Sequence, residues 1–589
     1  MNITKTPFIF DGAMGTYYAA VSPNPLPKCE LANLYERDTI LAIHRQYIDA
    51  GCQAIRTNTF AANRISLETD FAAVAAVIKA GYEIAQEAVA GADADVKVFA
   101  DIGPVPLAPT EDLWEEYRGI VNVFLELGAD NFVFETFSSD EYLPEISRYI
   151  KSFNPQAYIL TEFAVSPEGL TRQGDSGHKL IENVLQIPTI DACGFNCFSG
   201  PYHLLQYIKT FDTTGKTISI MPNSGYPTII NNRTFFEDTK EYFAARMLEI
   251  AKQGVTILGG CCGTTPEFIR ETVARLGNLS SHDIVPGGRT VKAEPKQPAA
   301  GNALLDKMNR GQKVIAVELD PPVDTDIEFF MNSAKTLKEQ GVDAITIADC
   351  PIARARVDSS LMACKLQREV GIIPIPHMTC RDRNINATKA LLLGLNIEGV
   401  NNVLVVTGDP VPTAQRDEVK SIFNFNSVML AKFVQTLNET VFDSPFTICG
   451  ALNVNARYFT RQLEHAKKKI SNGVSIFLTQ PVLSEQAIEN IELARAELPA
   501  KILGGIMPII SHRNACFVNN EISGIQVADE IIARYEGKDR EEAGQLAVAI
   551  STEMAEKIYD FVDGYYLITP FKRIDILTEI IDNLKLMHR

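Results

Sequence analysis

Residues 255–265 read VTILGGCCGTT. The run Val255-Thr256-Ile257-Leu258 has the composition of a strand buried on both faces, and the glycine pair after it marks where the strand stops. Two cysteines then stand side by side. Neighbouring side chains on a regular strand point to opposite faces, so two thiols aimed at one place require the strand to have ended first. Working outward, the same unit recurs: a short apolar run that ends in glycine or polar residues, then a longer helical pattern. In the first half the runs are PFIFDG, AIRTNTF, KVFADIG, NFVFETF, YILTEFAV, CGFNCF, ISIMPNSG and VTILGGCCG, with helical stretches such as TILAIHRQYIDAG and DFAAVAAVIKAGYEIAQEAV between them.

Strands alternating with helices indicate a parallel sheet, and eight such units are what a closed (β/α)8 barrel needs. The second half repeats the count with VIAVELDPP, AITIADCP, IPIPHMTC, NVLVVTGDP, FTICGALNV, SIFLTQP, LGGIMPI and GYYLITPF. An open doubly wound sheet would alternate in the same way, but eight units in each half favour closure. The stretch SSHDIVPGGRTVKAEPKQPAAGN, rich in Pro, Gly and charge, separates the halves. The expected class is therefore α/β, two tandem (β/α)8 TIM barrels. The expected boundaries are a first barrel at 1–280, a Pro/Gly-rich linker at 281–302 and a second barrel at 303–589.

Bulk composition narrows the setting. The chain has 589 residues, a formal charge of −18, 46% hydrophobic and 22% charged residues, and one tryptophan, Trp114. An acidic chain is poorly suited to gripping nucleic acid or an anionic membrane. No apolar stretch approaches the ~20 residues of a membrane helix, and MNITKTPFIFDGAMG lacks the pattern of a secretory signal. Eleven scattered cysteines do not form a small disulfide scaffold, so a cytoplasmic compartment with reduced thiols is the expectation. Oligomeric state is encoded in none of these patterns; a homo-oligomer is compatible with all of them.

In barrels of this kind chemistry sits at the C-terminal ends of the strands. This chain concentrates polar residues there: Asp11, Thr59, Glu135, Cys197, Cys261 and Cys262 in the first half, and Glu318, His377, Asp409 and Gln480 in the second. Three thiolates from two strand ends suit a zinc ion that keeps one tetrahedral position for substrate. Glycines beside Cys261 and Cys262 allow the bend, and GFNCFSG supplies Cys197 from another strand end. Cys193, at the start of that run, is expected to be buried in the strand. A single buried cysteine is usually a small hydrophobe. A vicinal pair at one strand end with a third at another reverses that preference, and no C-x-x-C spacing points to a redox pair.

The motifs DGAMGT, TNTF, FETF, GFNC and GGCCGTTPEFI together resemble the homocysteine S-methyltransferase domain over residues 1 to about 280. The resemblance implies zinc on Cys197, Cys261 and Cys262, and Glu135 on the amino group of homocysteine, with Asp11, Gly12 and Thr59 around the amino acid. The motifs VELDPP, PHMTCRDRN, VTGDP, FLTQPVL and GGIMPIISHRN resemble methylenetetrahydrofolate reductase over roughly 303–589. This second resemblance implies FAD and NAD(P)H, with Glu318 as general acid and Asp409, beside flavin and folate, as a second catalytic residue. It also implies Gln480 on the pterin, His377 in the flavin site, and Lys468 and Lys469 facing flavin phosphates. Thr407-Gly408-Asp409 stands where the best-known bacterial reductases carry RGD, Ala348 stands where they use a threonine, and a nicotinamide-stacking phenylalanine is replaced near Val518. NADH and NADPH are thus both open.

Together the resemblances imply a bifunctional one-carbon enzyme that methylates homocysteine to methionine and reduces 5,10-methylenetetrahydrofolate to 5-methyltetrahydrofolate. The D-x-H-x-x-G pattern of a cobalamin module is missing, and the first domain by itself resembles enzymes that use S-methylmethionine or S-adenosylmethionine, which the resemblance makes the favoured methyl donors. The alternatives are a separate corrinoid partner, or a non-catalytic first barrel that senses zinc or methionine and regulates the reductase.

Overall fold

The computed structural model describes residues 7–106, 113–225, 228–230, 233–235, 239–277, 279–280, 283–284, 301–410, 422–423, 425–521, 524–570 and 572–587. The chain divides into two compact units, Met1–Pro295 and Lys296–Arg589. Most of the expected 281–302 linker lies outside the described residues, and the finer boundaries at 280 and 303 are our proposal.

Each run quoted above contains a strand. The first unit holds β1 (Phe8–Ile9), β2 (Ala54–Arg56), β3 (Lys97–Ile102), β4 (Asn131–Phe137), β5 (Tyr158–Phe163), β6 (Ala192–Asn196), β7 (Ile218–Met221) and β8 (Ile257–Leu258). They form one parallel sheet in the order β1-β8-β7-β6-β5-β4-β3-β2. The two ends of that order meet where Phe10, just past β1, bridges to Ala54 of β2, and Asp11 N donates to Ala54 O at 3.0 Å. This contact makes the sheet a barrel.

Strand alternation sorts the core. Phe10, Ala54, Phe99, Val133, Leu160, Ala192 and Ile257 point inward as one cluster, while Ile9, Ile55, Val98, Phe132, Ile159, Cys193 and Leu258 pack against the helices. Burying each large apolar side chain contributes about 1.5–3 kcal/mol. The inward parity then continues upward into polar and charged groups: Ala54 leads to Arg56, Phe99 to Asp101, Val133 to Glu135, Leu160 to Glu162, and Ala192 through Gly194 to Asn196. At Gly194 a Cβ would lie 1.8 Å from Ser219 O, so β6 and β7 pack there only because that position is glycine.

The second unit closes fully, from β9 (Val314–Leu319), β10 (Ala344–Ile347), β11 (Ile373–Thr379) and β12 (Asn402–Val406) to β13 (Thr447–Leu452), β14 (Val474–Pro481), β15 (Lys501–Ile506) and β16 (Gly564–Ile568). Val314, Ala316, Ile375, Leu404, Ile476, Leu478 and Tyr566 fill its interior. The helix Ala303–Asn309 adds Leu304 and Met308 to that cluster; Asn302 caps it by accepting from Leu304 N and Leu305 N at 3.1 Å each. The inward parity again ends in chemistry, at Glu318, His377 and Gln480. Among the described residues, no helix is long and apolar enough to cross a membrane.

One buried group sets an acid limit on the first unit. His44, on the helix Arg37–Asp49, is fully buried with neither ring nitrogen hydrogen-bonded, and burial lowers its pKa to about 4. Unfolded histidine protonates near ~6.5, so the unfolded chain binds the extra proton between these values and stability falls as pH drops from ~6.5 to ~4. At pH 5 the loss should be about 2 kcal/mol. In His44→Leu that share of the drop between pH 7 and pH 5 should vanish from the first unit's urea transition. A variant that keeps the wild-type drop would show that His44 is not its source.

Candidate functional site

The thiols lie beyond the strand ends. Strand β8 stops at Leu258, and Gly259 and Gly260 lead into Cys261 and Cys262. Close packing demands both glycines: a Cβ on Gly260 would sit 2.4 Å from Thr264 Oγ1, and one on Gly259 2.8 Å from Phe10 Cβ. Backbone bonds fasten this turn to the loop after β7, with Cys261 N donating to Pro222 O at 2.8 Å and Ser224 N to Cys262 O at 2.9 Å.

Cys197 arrives differently. Continued β6 geometry would put it on the helix side with Cys193 and Phe195. Instead Cys197 and Phe198 both adopt left-handed backbone, at φ 53° and 59°, which breaks the alternation. The sulfurs of Cys197, Cys261 and Cys262 all lie within 4.8 Å of one another, with Cys197 and Cys262 3.8 Å apart. No other such cluster of metal-capable donors occurs among the described residues. Cys193 is 1% exposed, as expected of a strand cysteine. Hydrogen bonds from Cys261 and Cys262 pull the Cys197 thiol down to about 3, and the contact with Cys197 pushes Cys262 up to about 12. This all-sulfur donor set, once deprotonated, would suit zinc.

A cavity of about 430 Å³ opens beside them. Its lining brings the three cysteines together with Asp11, Gly12, Thr59 and Glu135. Arg56 ties these parts to one another. It donates through Nε to Asp11 Oδ1 at 2.9 Å, through one terminal nitrogen to Glu135 Oε2 at 2.5 Å, and through the other to Gly12 O at 2.9 Å and Gly260 O at 2.8 Å. Asn196 adds a bond to Glu135 Oε2 at 3.0 Å. Burial raises the Asp11 carboxyl to about 6 although Arg56 pulls it down. Thr59 lines the cavity, but its hydroxyl donates to Asp101 O at 2.7 Å.

In the second unit Glu318 accepts from the Tyr566 hydroxyl, and His377 Nε2 stands 3.6 Å from Glu318 Oε2, too far for a hydrogen bond. Burial raises Glu318 to about 7, although the Tyr566 bond opposes it, and lowers His377 to about 4. A separate cavity of about 400 Å³ is lined by Gln480, Lys469, His465, Thr407 and Asn453. The two lysines part company: Lys469 is buried, donates to Ala451 O at 2.9 Å and is lowered by burial to about 8, whereas Lys468 is exposed and outside that lining. Asp409 is exposed. Its Oδ2 accepts from Ile352 N at 3.0 Å, and its carbonyl accepts from Arg381 at 3.1 Å.

Residues 8–276 match the family model described as Homocysteine S-methyltransferase, and residues 303–585 match the one described as Methylenetetrahydrofolate reductase. Each of the two compact units is thus matched by one of these family models, over a little under half of the chain. Among similar proteins, a methionine synthase of Mycobacterium tuberculosis is 27% identical over 324 residues, covering 50% of this chain and 26% of that protein. One of Mycobacterium leprae is 27% identical over 316 residues, covering 48% and 26%. The chain thus spans about a quarter of the length of these relatives. Solved structures of the homocysteine methyltransferase MmuM from Escherichia coli, in metallated and oxidized forms, are 20% and 21% identical with TM-scores of 0.38, covering 46% of this chain and 96% of theirs.

Arg56 and Tyr566 are among the residues that escaped the motif reading. In the methyltransferase-family domain, Arg56 sits in AIRTNTF two positions after inward Ala54; a charged residue at inward parity was the available signal. In the reductase-family domain, Tyr566 has inward parity in GYYLI, but nothing local says that its hydroxyl meets a carboxylate from β9.

Proposed function

We propose that the chain is a bifunctional one-carbon enzyme: the methyltransferase-family domain methylates homocysteine to methionine, and the reductase-family domain reduces 5,10-methylenetetrahydrofolate to 5-methyltetrahydrofolate. The observation that carries the first activity is the trio of sulfurs opening on a cavity with Asp11 and Glu135 in its lining. Cys197, Cys261 and Cys262 would hold zinc, which when bound supplies a Lewis acid that keeps a substrate thiol deprotonated at neutral pH. Glu135 accepts from the ammonium group of the amino acid. Asp11 and Gly12 line the same wall, and Arg56 holds that wall against the cysteine turn through Gly260 O.

For the second activity, FAD when bound and reduced by NAD(P)H would supply hydride. His377, whose buried Nε2 has no hydrogen-bond partner, and Lys469 would hold the flavin, and Gln480, which lines the same cavity as Lys469, would pair with the pterin. Glu318, raised to about 7, keeps a proton available near neutrality and gives it to a nitrogen flanking the methylene bridge. Asp409 shapes the turn at the folate side.

The favoured methyl donors are S-methylmethionine and S-adenosylmethionine. Pure zinc-loaded protein should form methionine from homocysteine with one of these sulfonium compounds. Turnover that appears only after a methylated corrinoid protein is added would replace them as donors. No turnover with any donor, combined with a reductase rate that responds to zinc chelation, would replace the methyltransferase with a sensor.

A further inference from the structure

The inner layer of the methyltransferase-family barrel carries four buried carboxyl groups, on Asp11, Asp101, Glu135 and Glu162. A single guanidinium, that of Arg56, bonds to two of them, Asp11 and Glu135. Among the described residues no ion pair reaches Asp101 or Glu162. Glu162 accepts from Ser219 Oγ at 2.6 Å and does not line the cavity. Asp101 does line it.

The backbone of Asp101 is fixed on both sides: its N–H donates to Thr57 Oγ1 at 2.9 Å, and its carbonyl accepts from Thr59 Oγ1 at 2.7 Å. Its side chain is not. Asp101 is 5% exposed, and its Oδ1 is buried with no hydrogen-bond partner. A carboxyl group with one oxygen buried away from any donor bears a desolvation penalty, and because this same side chain lines the cavity, a ligand there that brings a donor relieves it.

We propose that Asp101 is a specificity-determining residue of this cavity, accepting a hydrogen bond from the cationic amine of the thiol substrate alongside Glu135. The proposal rests on the methyltransferase reading above. An ammonium group brings three donors, while Glu135 Oε2 already takes bonds from Arg56 and Asn196. It also brings the positive charge that this layer is short of. Burial, and then the charge of Glu135, push the Asp101 carboxyl well above its ordinary range, with Asp11 and Glu30 adding to the rise and Arg56 opposing it. A carboxyl kept from ionising by its neighbours gains from an arriving cation. A thiol without an amine leaves the Asp101 carboxyl without a partner, and sites built to pair a substrate N–H discriminate strongly against analogues that lack it.

The test compares two ligands on the zinc-loaded full-length chain by calorimetry: homocysteine, and 4-sulfanylbutanoate, which keeps the thiol and carboxylate but has no amine. Asp101→Asn should weaken homocysteine about 10- to 100-fold and leave 4-sulfanylbutanoate within about twofold, so the wild-type preference collapses. Zinc content and the reductase rate of the same chain report whether the variant is intact. If Asp101→Asn loses zinc, the ratio of the two affinities in Asp101→Ser decides instead. Unchanged homocysteine affinity, or an equal loss for both thiols, overturns the assignment of Asp101. A wild-type chain that binds neither thiol overturns the methyltransferase reading itself.

Discussion

Zinc and methyl transfer should be lost together when Cys262 is replaced by alanine, while the reductase rate of the same chain is unchanged. The three sulfurs lie within 4.8 Å of one another, and their separate routes make each irreplaceable. Cys262 is held by the turn bonded to Ser224, and Cys197 by two consecutive left-handed residues. Among the described residues no fourth thiol or imidazole stands in the group to substitute. Losing a metal's polarising effect removes several kcal/mol of transition-state stabilisation, so methionine formation should fall on the order of 10³-fold or more. Cys193→Ala is the matched control: its thiol packs against the helices, so it should bind zinc as the wild type does and change only stability. Acid should mimic the loss, because the thiols must be deprotonated to bind metal. A Cys262→Ala chain that retains one equivalent of zinc and the wild-type rate would remove the basis for this site.

In the other domain, Glu318→Gln should lower folate reduction by about 10²–10⁴-fold without loss of bound flavin. Glutamine keeps the shape and can still accept from Tyr566, so what disappears is the proton. The pH profile gives an independent reading. Glu318 is raised from 4.5 to about 7, chiefly by burial, with Asp320 contributing in the same direction and the Tyr566 bond opposing. The protonated form is the one proposed to act, so the wild-type rate should be level below pH ~7 and decline about tenfold per unit above it. His377 does not supply that limb: burial holds its imidazole neutral down to about 4. The limb should be missing from the residual rate of Glu318→Gln. A variant within tenfold of wild type, or one that keeps the limb, would rule Glu318 out as the acid.

Strand periodicity is written in neighbouring residues, and for that reason the barrels and much of their inner surface could be read directly. Alternation by two places Phe99 and Asp101, Val133 and Glu135, or Leu478 and Gln480 on one face whatever the rest of the chain does. The same regularity misplaces Cys197, which by parity belongs beside Cys193. Only the left-handed turn, set where the loops after β6 and β7 meet, brings its sulfur to Cys261 and Cys262. Adjacent Lys468 and Lys469 look equivalent in AKKKI, and helix packing alone turns the second inward to Ala451 O.

Partnerships between strands far apart in sequence were likewise beyond local reading. Arg56 gathers carboxylates from Asp11 and Glu135, and Tyr566 meets Glu318 across the closure of the second barrel. Which faces are apolar, and where each strand gives way to polar residues, depend on backbone geometry over a few residues and are therefore legible in the chain alone. Which of those residues share one site, and which carboxyl groups keep their protons there, was decided by the tertiary structure, because charge and desolvation act through space once the barrel has closed.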